Sequence, residues 1–181
     1  MSNECLDMYD ELSEIASCAD EIAAGSILEI LKRYCESISI FDMMDFTSQV
    51  IKENRYVQES YRNESQKSYI ESFLMRVRDI SKDTSDYPDI VDKNELCRAI
   101  ETLRPNHHDE DKTDKVALIF EIASIYATFV LKDPIHPVGT PFPGSLKVEK
   151  VDGEFLCPVK DANRETPNAV CNICLAKQLD F

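Results

Sequence analysis

The stretch Val116–Leu131, VALIFEIASIYATFVL, decides the fold. It is apolar on nearly every face and is interrupted by a single charge, Glu121. A bilayer span takes about 20 consecutive apolar residues, so this run is too short and too polar to cross a membrane. A helix without a polar face must be surrounded by other helices, which predicts the centre of a bundle. Upstream, Thr113 is suited to cap this helix, with Asp114 favourable in its first turn. Asp133-Pro134 ends it.

The flanking sequence supplies the surrounding helices. Cys5, Met8, Tyr9, Leu12, Ile15, Ala16, Ala19, Ile22 and Ala23 recur at helical spacing and predict a first amphipathic helix. Ser26 and Glu29 have capping-box spacing before a second stripe that includes Leu28, Leu31 and Cys35. A third helix is expected from Asp42, through Phe46 and Val50, and a fourth from about Asn63. The fourth stripe, Tyr69, Phe73, Leu74, Val77 and Ile80, is the clearest of all. SKDTSDYPD reads as a loop. Asp92 and Glu95 open a short fifth helix that stops before Pro105, and RPNHHDEDK is a polar loop. The fold class predicted is all-α, a bundle of about six helices over residues 1–132.

At residue 133 the character changes. DPIHPVGTPFPGS is rich in proline and glycine and must be extended and turn-rich. Two β-prone runs then flank Asp152-Gly153, a strong hairpin signal that puts Cys157 near the end of the second strand. Residues 133–181 are thus expected to form a Pro-rich segment, a small C-terminal β-hairpin and a cysteine knuckle. They should pack on the bundle as part of one structural domain.

Charge and cysteines bound the function. The net charge of −14 argues against nucleic acid as a partner, because that binding neutralises phosphates with Lys and Arg. An acidic N-terminal stretch is unlike a signal peptide, which points to a cytoplasmic protein; the partner expected is an unidentified protein, not a membrane. Seven cysteines in a reducing compartment favour thiols over disulfides. Cys5, Cys18, Cys35 and Cys97 lie in helical, partly apolar contexts, whereas Cys157, Cys171 and Cys174 have polar, turn-like flanks.

A CxxC turn can direct two sulfurs to one point, and zinc takes four N or S ligands tetrahedrally. Cys157, Cys171 and Cys174 supply three thiolates, and His136, in the Pro-rich segment, is the candidate fourth. Cys97 is an alternative. An iron–sulfur cluster is the alternative cofactor, although the usual close cysteine grouping is absent. His107 and His108 sit among acids and read as a solvated loop. The four glycines, at 25, 139, 144 and 153, permit neither GxGxxG nor a P-loop, and neither GxSxG nor HExxH occurs. The leading reading is a metal-stabilised binding or regulatory protein without catalysis. The rival is an enzyme with an open metal or thiol site between bundle and tail, served by Lys160, Asp161, Lys177 and Gln178; a redox protein is a third class.

The tail carries a further signal. HPVGTPFPG from His136, CPVKD from Cys157, and P-x-A-x-C-x-x-C-x-A-x-Q from Pro167 to Gln178 together resemble an archaeal family typical of methanogens, domain of unknown function 2115. The resemblance covers about residues 134–178, and the short amphipathic helices upstream match it in order. It implies a strongly reducing, anaerobic cytosol, which suits free thiols or a metal. It implies no particular activity.

Overall fold

A computed structural model describes residues 3–56, 59–106, 114–163, 165–166 and 169–180. These residues form a mainly helical protein with six α-helices and three small sheets. Helix α1 spans Glu4–Cys18, α2 Ala24–Cys35, α3 Ile40–Glu53, α4 Glu59–Lys82, α5 Lys93–Leu103 and α6 Lys115–Ile125. No helix among the described residues is long and apolar enough to cross a membrane.

Helix α6 occupies the centre, as its uniform apolarity requires: Leu118, Ile119 and every residue from Glu121 to Ile125 are buried. Tyr9, Phe46, Phe73, Leu31, Leu96 and Leu103 from the surrounding helices complete the same core. The chain then widens into a π-helical segment, Tyr126–Leu131, and leaves it through Lys132 in the left-handed conformation (φ 56°). The Asp133 N–H reaches back to the Ala127 carbonyl at 2.9 Å, which closes the helix end.

Local chemistry sets boundaries that differ from the periodicity in several places. The first helix does not run to Ala23. It ends at Cys18, and Ile22–Ala23 become strand β1, antiparallel to β2 (Ile90–Val91). This pairing carries the preceding loop onto the start of α2. There the N–H groups of Ala24 and Gly25 bond to the Asp89 and Tyr87 carbonyls at 2.9 and 3.0 Å. Backbone carbonyls thus fill the capping role expected of Ser26, which lies inside the helix. Helix α3 starts earlier than Asp42: Ser39 is the cap and Asp42 answers it in a reciprocal capping box. At α6 the cap is Asp114, whose carboxylate accepts from the Val116 and Ala117 N–H groups at 3.0 and 3.1 Å. Thr113, His107 and His108 lie outside the described residues.

The tail contains more β-structure than a single hairpin. Strand β3 (Pro141–Phe142) pairs with β4 (Leu146–Lys147). β5 (Glu149–Val151) and β6 (Glu154–Cys157) form the expected hairpin, with positive φ at both Asp152 (50°) and Gly153 (87°), as a two-residue turn of the favoured hand requires. A seventh strand, β7 (Lys177–Gln178), adds in parallel to β6 and aligns Cys157 with Gln178. The tail is anchored to the bundle through Val170, Ile173 and Cys174, which pack on the main core.

Candidate functional site

The tail departs from the bundle beside Arg76 of α4. Arg76 is buried, and its guanidinium donates to the Pro134 carbonyl at 2.8 Å and to the Ile135 carbonyl. Burial holds its pKa below the usual arginine range, but two carbonyl acceptors and nearby acidic groups compensate the charge. On the same peptide segment the Ile135 N–H points at Cys174 Sγ, 3.4 Å away. One short extended stretch therefore links a helix of the body to the CxxC turn.

Cys157 and Cys174 pack together beside this link, with Cys171 nearby. Cys157, at the end of β6, is buried and shares a small apolar cluster with Val148, Ala176, Val159 and Cys174. Burial is the main reason its thiol pKa is raised, and the N–H groups of Val159 and Lys160 work against that rise. Cys171 lies on a short 3-10 turn, Val170–Ile173. Its thiol is pushed up by burial and then by the neighbouring Cys174 and Cys157. The Lys160 ammonium donates to the Cys171 carbonyl and, at 2.8 Å, to the Cys174 carbonyl, which clasps the turn against the end of β6. Cys97 is exposed on α5.

His136 is placed differently from the thiols. Its imidazole is buried among Tyr69, Phe142 and Phe73, with ring centroids at 5.1, 5.6 and 6.0 Å. Burial, helped by the charge of Arg76, lowers its pKa to about 4, so the ring is neutral at physiological pH. Its Nε2 is buried without a hydrogen-bond partner among the described residues. Among the described residues, no group of three or more His, Cys, Asp or Glu side chains is gathered closely enough to hold a metal ion.

The polar residues of the tail are engaged in holding it together. The Gln178 amide nitrogen donates to the Pro158 and Leu179 carbonyls at 3.2 and 2.8 Å, and its oxygen accepts from the Asp161 N–H at 2.9 Å. Lys177 pairs with Glu154 on the exposed face of the sheet. Lys160, Asp161 and Gln178 therefore stitch β6, β7 and the CxxC turn into one unit.

Between this unit and the bundle lies a cavity of about 520 Å³. Tyr69, Phe120 and Phe142 give it aromatic walls; His136, Cys171 and Glu121 add polar groups. Glu121 is only 2% exposed. Its carboxylate acts on Tyr9, whose phenol pKa is pushed well above the usual range by burial first and by Glu121 next.

Of the residues of this region, Arg76 was not singled out from the sequence, and Glu121 was noted only as the charge interrupting the central run. Arg76 continues the apolar stripe Tyr69, Phe73, Val77, Ile80 at helical spacing, so a charge on the buried face of α4 was the available signal. For Glu121 the signal was a lone charge in an otherwise apolar central helix.

A family model described as "Uncharacterized protein conserved in archaea (DUF2115)" matches residues 23–179, most of the bundle and the whole of the cavity-forming tail. The chain belongs to this family. Its relatives include two UPF0305 proteins of Methanothermobacter thermautotrophicus. One is 36% identical, covering 84% of this chain and 94% of the relative. The other is 31% identical, covering 86% and 96%. A UPF0305 protein of Methanocaldococcus jannaschii is 27% identical over 87% of this chain and 97% of its own length. The family is thus one of methanogenic archaea, and the resemblance read from the tail extends through the helical body. No solved structure matches the chain.

Proposed function

We propose that this family member is a non-catalytic binding or regulatory protein of the cytoplasm, with a tail fastened by zinc on the three thiolates of Cys157, Cys171 and Cys174. What supports this reading is that Cys157 packs with Cys174 and lies near enough to Cys171 to influence its thiol, while Lys160 holds the carbonyls of the CxxC turn against the end of β6. Backbone N–H groups directed at Cys174 and Cys157 are what a thiolate ligand uses to spread its charge. An all-sulfur donor set suits zinc, and the metal's binding free energy would become folding free energy for a tail with few core residues of its own. The metal-free Cys157 and Cys171 thiols are raised in pKa by burial, so loading would release protons and strengthen as pH rises. His136, the other member of the expected ligand set, we assign to the cavity, because its ring is enclosed by three aromatic neighbours.

The polar residues that an enzyme would need in the tail are taken up in backbone hydrogen bonds, which favours a structural role for them. Anaerobic purification without chelators, followed by elemental analysis, tests the metal. One zinc per chain is expected, lost in Cys171→Ser and Cys174→Ser and kept in His136→Ala. Protein free of zinc and iron would refute the reading, and iron with visible absorption would replace it with a redox centre.

A further inference from the structure

The cavity between bundle and tail has the makings of a ligand site. Its volume of about 520 Å³ lies in the range of small-molecule pockets. Among the described residues three aromatic side chains line it, and the carboxylates are those of Glu121, which is buried, and of Glu53 and Asp114, which are exposed residues. No lysine or arginine is among the described lining residues. Lys115, next to Asp114, is paired with Glu4 at 2.6 Å, and Arg76 is engaged by the Pro134 and Ile135 carbonyls. A buried neutral imidazole, its Nε2 without a partner among the described residues, stands in the same wall. Burying a polar nitrogen without a partner is costly unless something else supplies one.

We propose that this cavity binds a small organic cation, an amine or guanidine carried on an aromatic or branched apolar body. The cationic head is attracted to the Glu121 carboxylate and to the ring faces of Tyr69, Phe120 and Phe142, which favour cations through their quadrupoles. The apolar body replaces water against the same rings. His136 Nε2 offers the ligand a hydrogen bond in the wall between the rings. Among the described lining residues an anionic ligand meets carboxylates on both sides of the cavity and no cation, which disfavours it.

The inference rests on the binding-protein reading but not on the metal. The test uses the full chain as purified, with zinc content measured on the same samples. Tyramine and tryptamine are titrated calorimetrically against their uncharged counterparts 4-ethylphenol and 3-ethylindole, and against the anion 3-(4-hydroxyphenyl)propionate. At least one amine should bind saturably at one per chain and at least about tenfold more tightly than its uncharged counterpart; the anion should not bind. Glu121→Gln should remove the preference for charge. Ala117→Leu, which fills the cavity without altering charge, should weaken binding at least about tenfold and decides the matter if the Glu121 variant does not fold.

Equal binding of amine and uncharged counterpart, or amine affinity unchanged in Ala117→Leu, would overturn the proposal. So would the absence of binding by both amines. Amine binding without zinc defeats only the metal; zinc without amine binding defeats only the cavity proposal.

Discussion

Arg76 offers the sharpest test of how the tail is held. Its guanidinium places two hydrogen bonds on consecutive carbonyls, Pro134 and Ile135, in a buried setting. Hydrogen bonds to a charged group contribute about 1.5–3 kcal/mol each, and carbonyls left buried without donors are penalised further. Against this stands the cost of burying the guanidinium, evident in its lowered pKa, which substitution relieves. The net effect of Arg76→Met, which keeps most of the apolar stem, should be about 2–4 kcal/mol against the closed tail. That is roughly 30- to 700-fold in the opening equilibrium. Because the Ile135 N–H is directed at Cys174 Sγ, the loss is readable at a specific thiol. In metal-free protein under native conditions, Cys174 should react with a thiol reagent faster by that factor when reaction is limited by opening. Far-UV circular dichroism should show the helical body retained. Arg76→Lys, with a point charge in place of the planar fork, should fall between the two. An Arg76→Met protein whose Cys174 reactivity stays within a factor of three of wild type would refute the claim that this guanidinium clamps the tail.

Two further outcomes follow from local geometry. Partial burial works to raise the Asp83 pKa, but the Ser85 N–H and the Tyr126 and Tyr87 hydroxyls outweigh it and hold the carboxylate at about 2. A depressed carboxylate contributes stability above its ordinary range near 3.8 and loses it as pH falls through 2. Asp83→Asn should therefore cost about 1 kcal/mol at pH 5, after allowance for solvent screening, with the difference from wild type vanishing near pH 2 in denaturant titrations. Gly153→Ala should cost about 1 kcal/mol by urea unfolding from the backbone alone, since φ is +87° and an added Cβ meets nothing within 4 Å. A neutral result there would mean that the turn relaxes.

The helical body was legible because burial writes itself into spacing. Tyr69, Phe73, Val77 and Ile80 face the core as their periodicity predicts, and the uniformly apolar 116–131 run is central. What periodicity could not contain is the competition for helix ends. Ile22 and Ala23 continue the helical stripe, yet pairing with Ile90 and Val91 takes them into a strand. The 2-residue strand β7 has no signal of its own, because it exists through pairing with β6 and the hold of Gln178 on Pro158 and Leu179. The Asp152-Gly153 hairpin was legible, since its positive φ values leave few residue choices. Of the candidate site, the placing of Cys157 at the end of the hairpin's second strand was legible from the turn chemistry. The enclosure of His136 was not: Tyr69, Phe73 and Phe142 come from different elements, and only the tertiary fold brings them round one imidazole.

That enclosure bears on where in the protein a functional unit can lie. Cys171 belongs both to the thiol group and to the cavity wall, and Ile135 and His136 are adjacent in the chain. Ile135 is fixed between the Arg76 guanidinium and Cys174 Sγ, so displacement of the CxxC turn cannot leave the His136 backbone in place without straining one of these bonds. Neither half closes the cavity by itself: its aromatic wall takes Tyr69 and Phe120 from the bundle and Phe142 from the tail. The family match, from residue 23 to residue 179, spans both sides of the seam. Helices α4 and α6 therefore form one wall of this cavity and the tail forms the other.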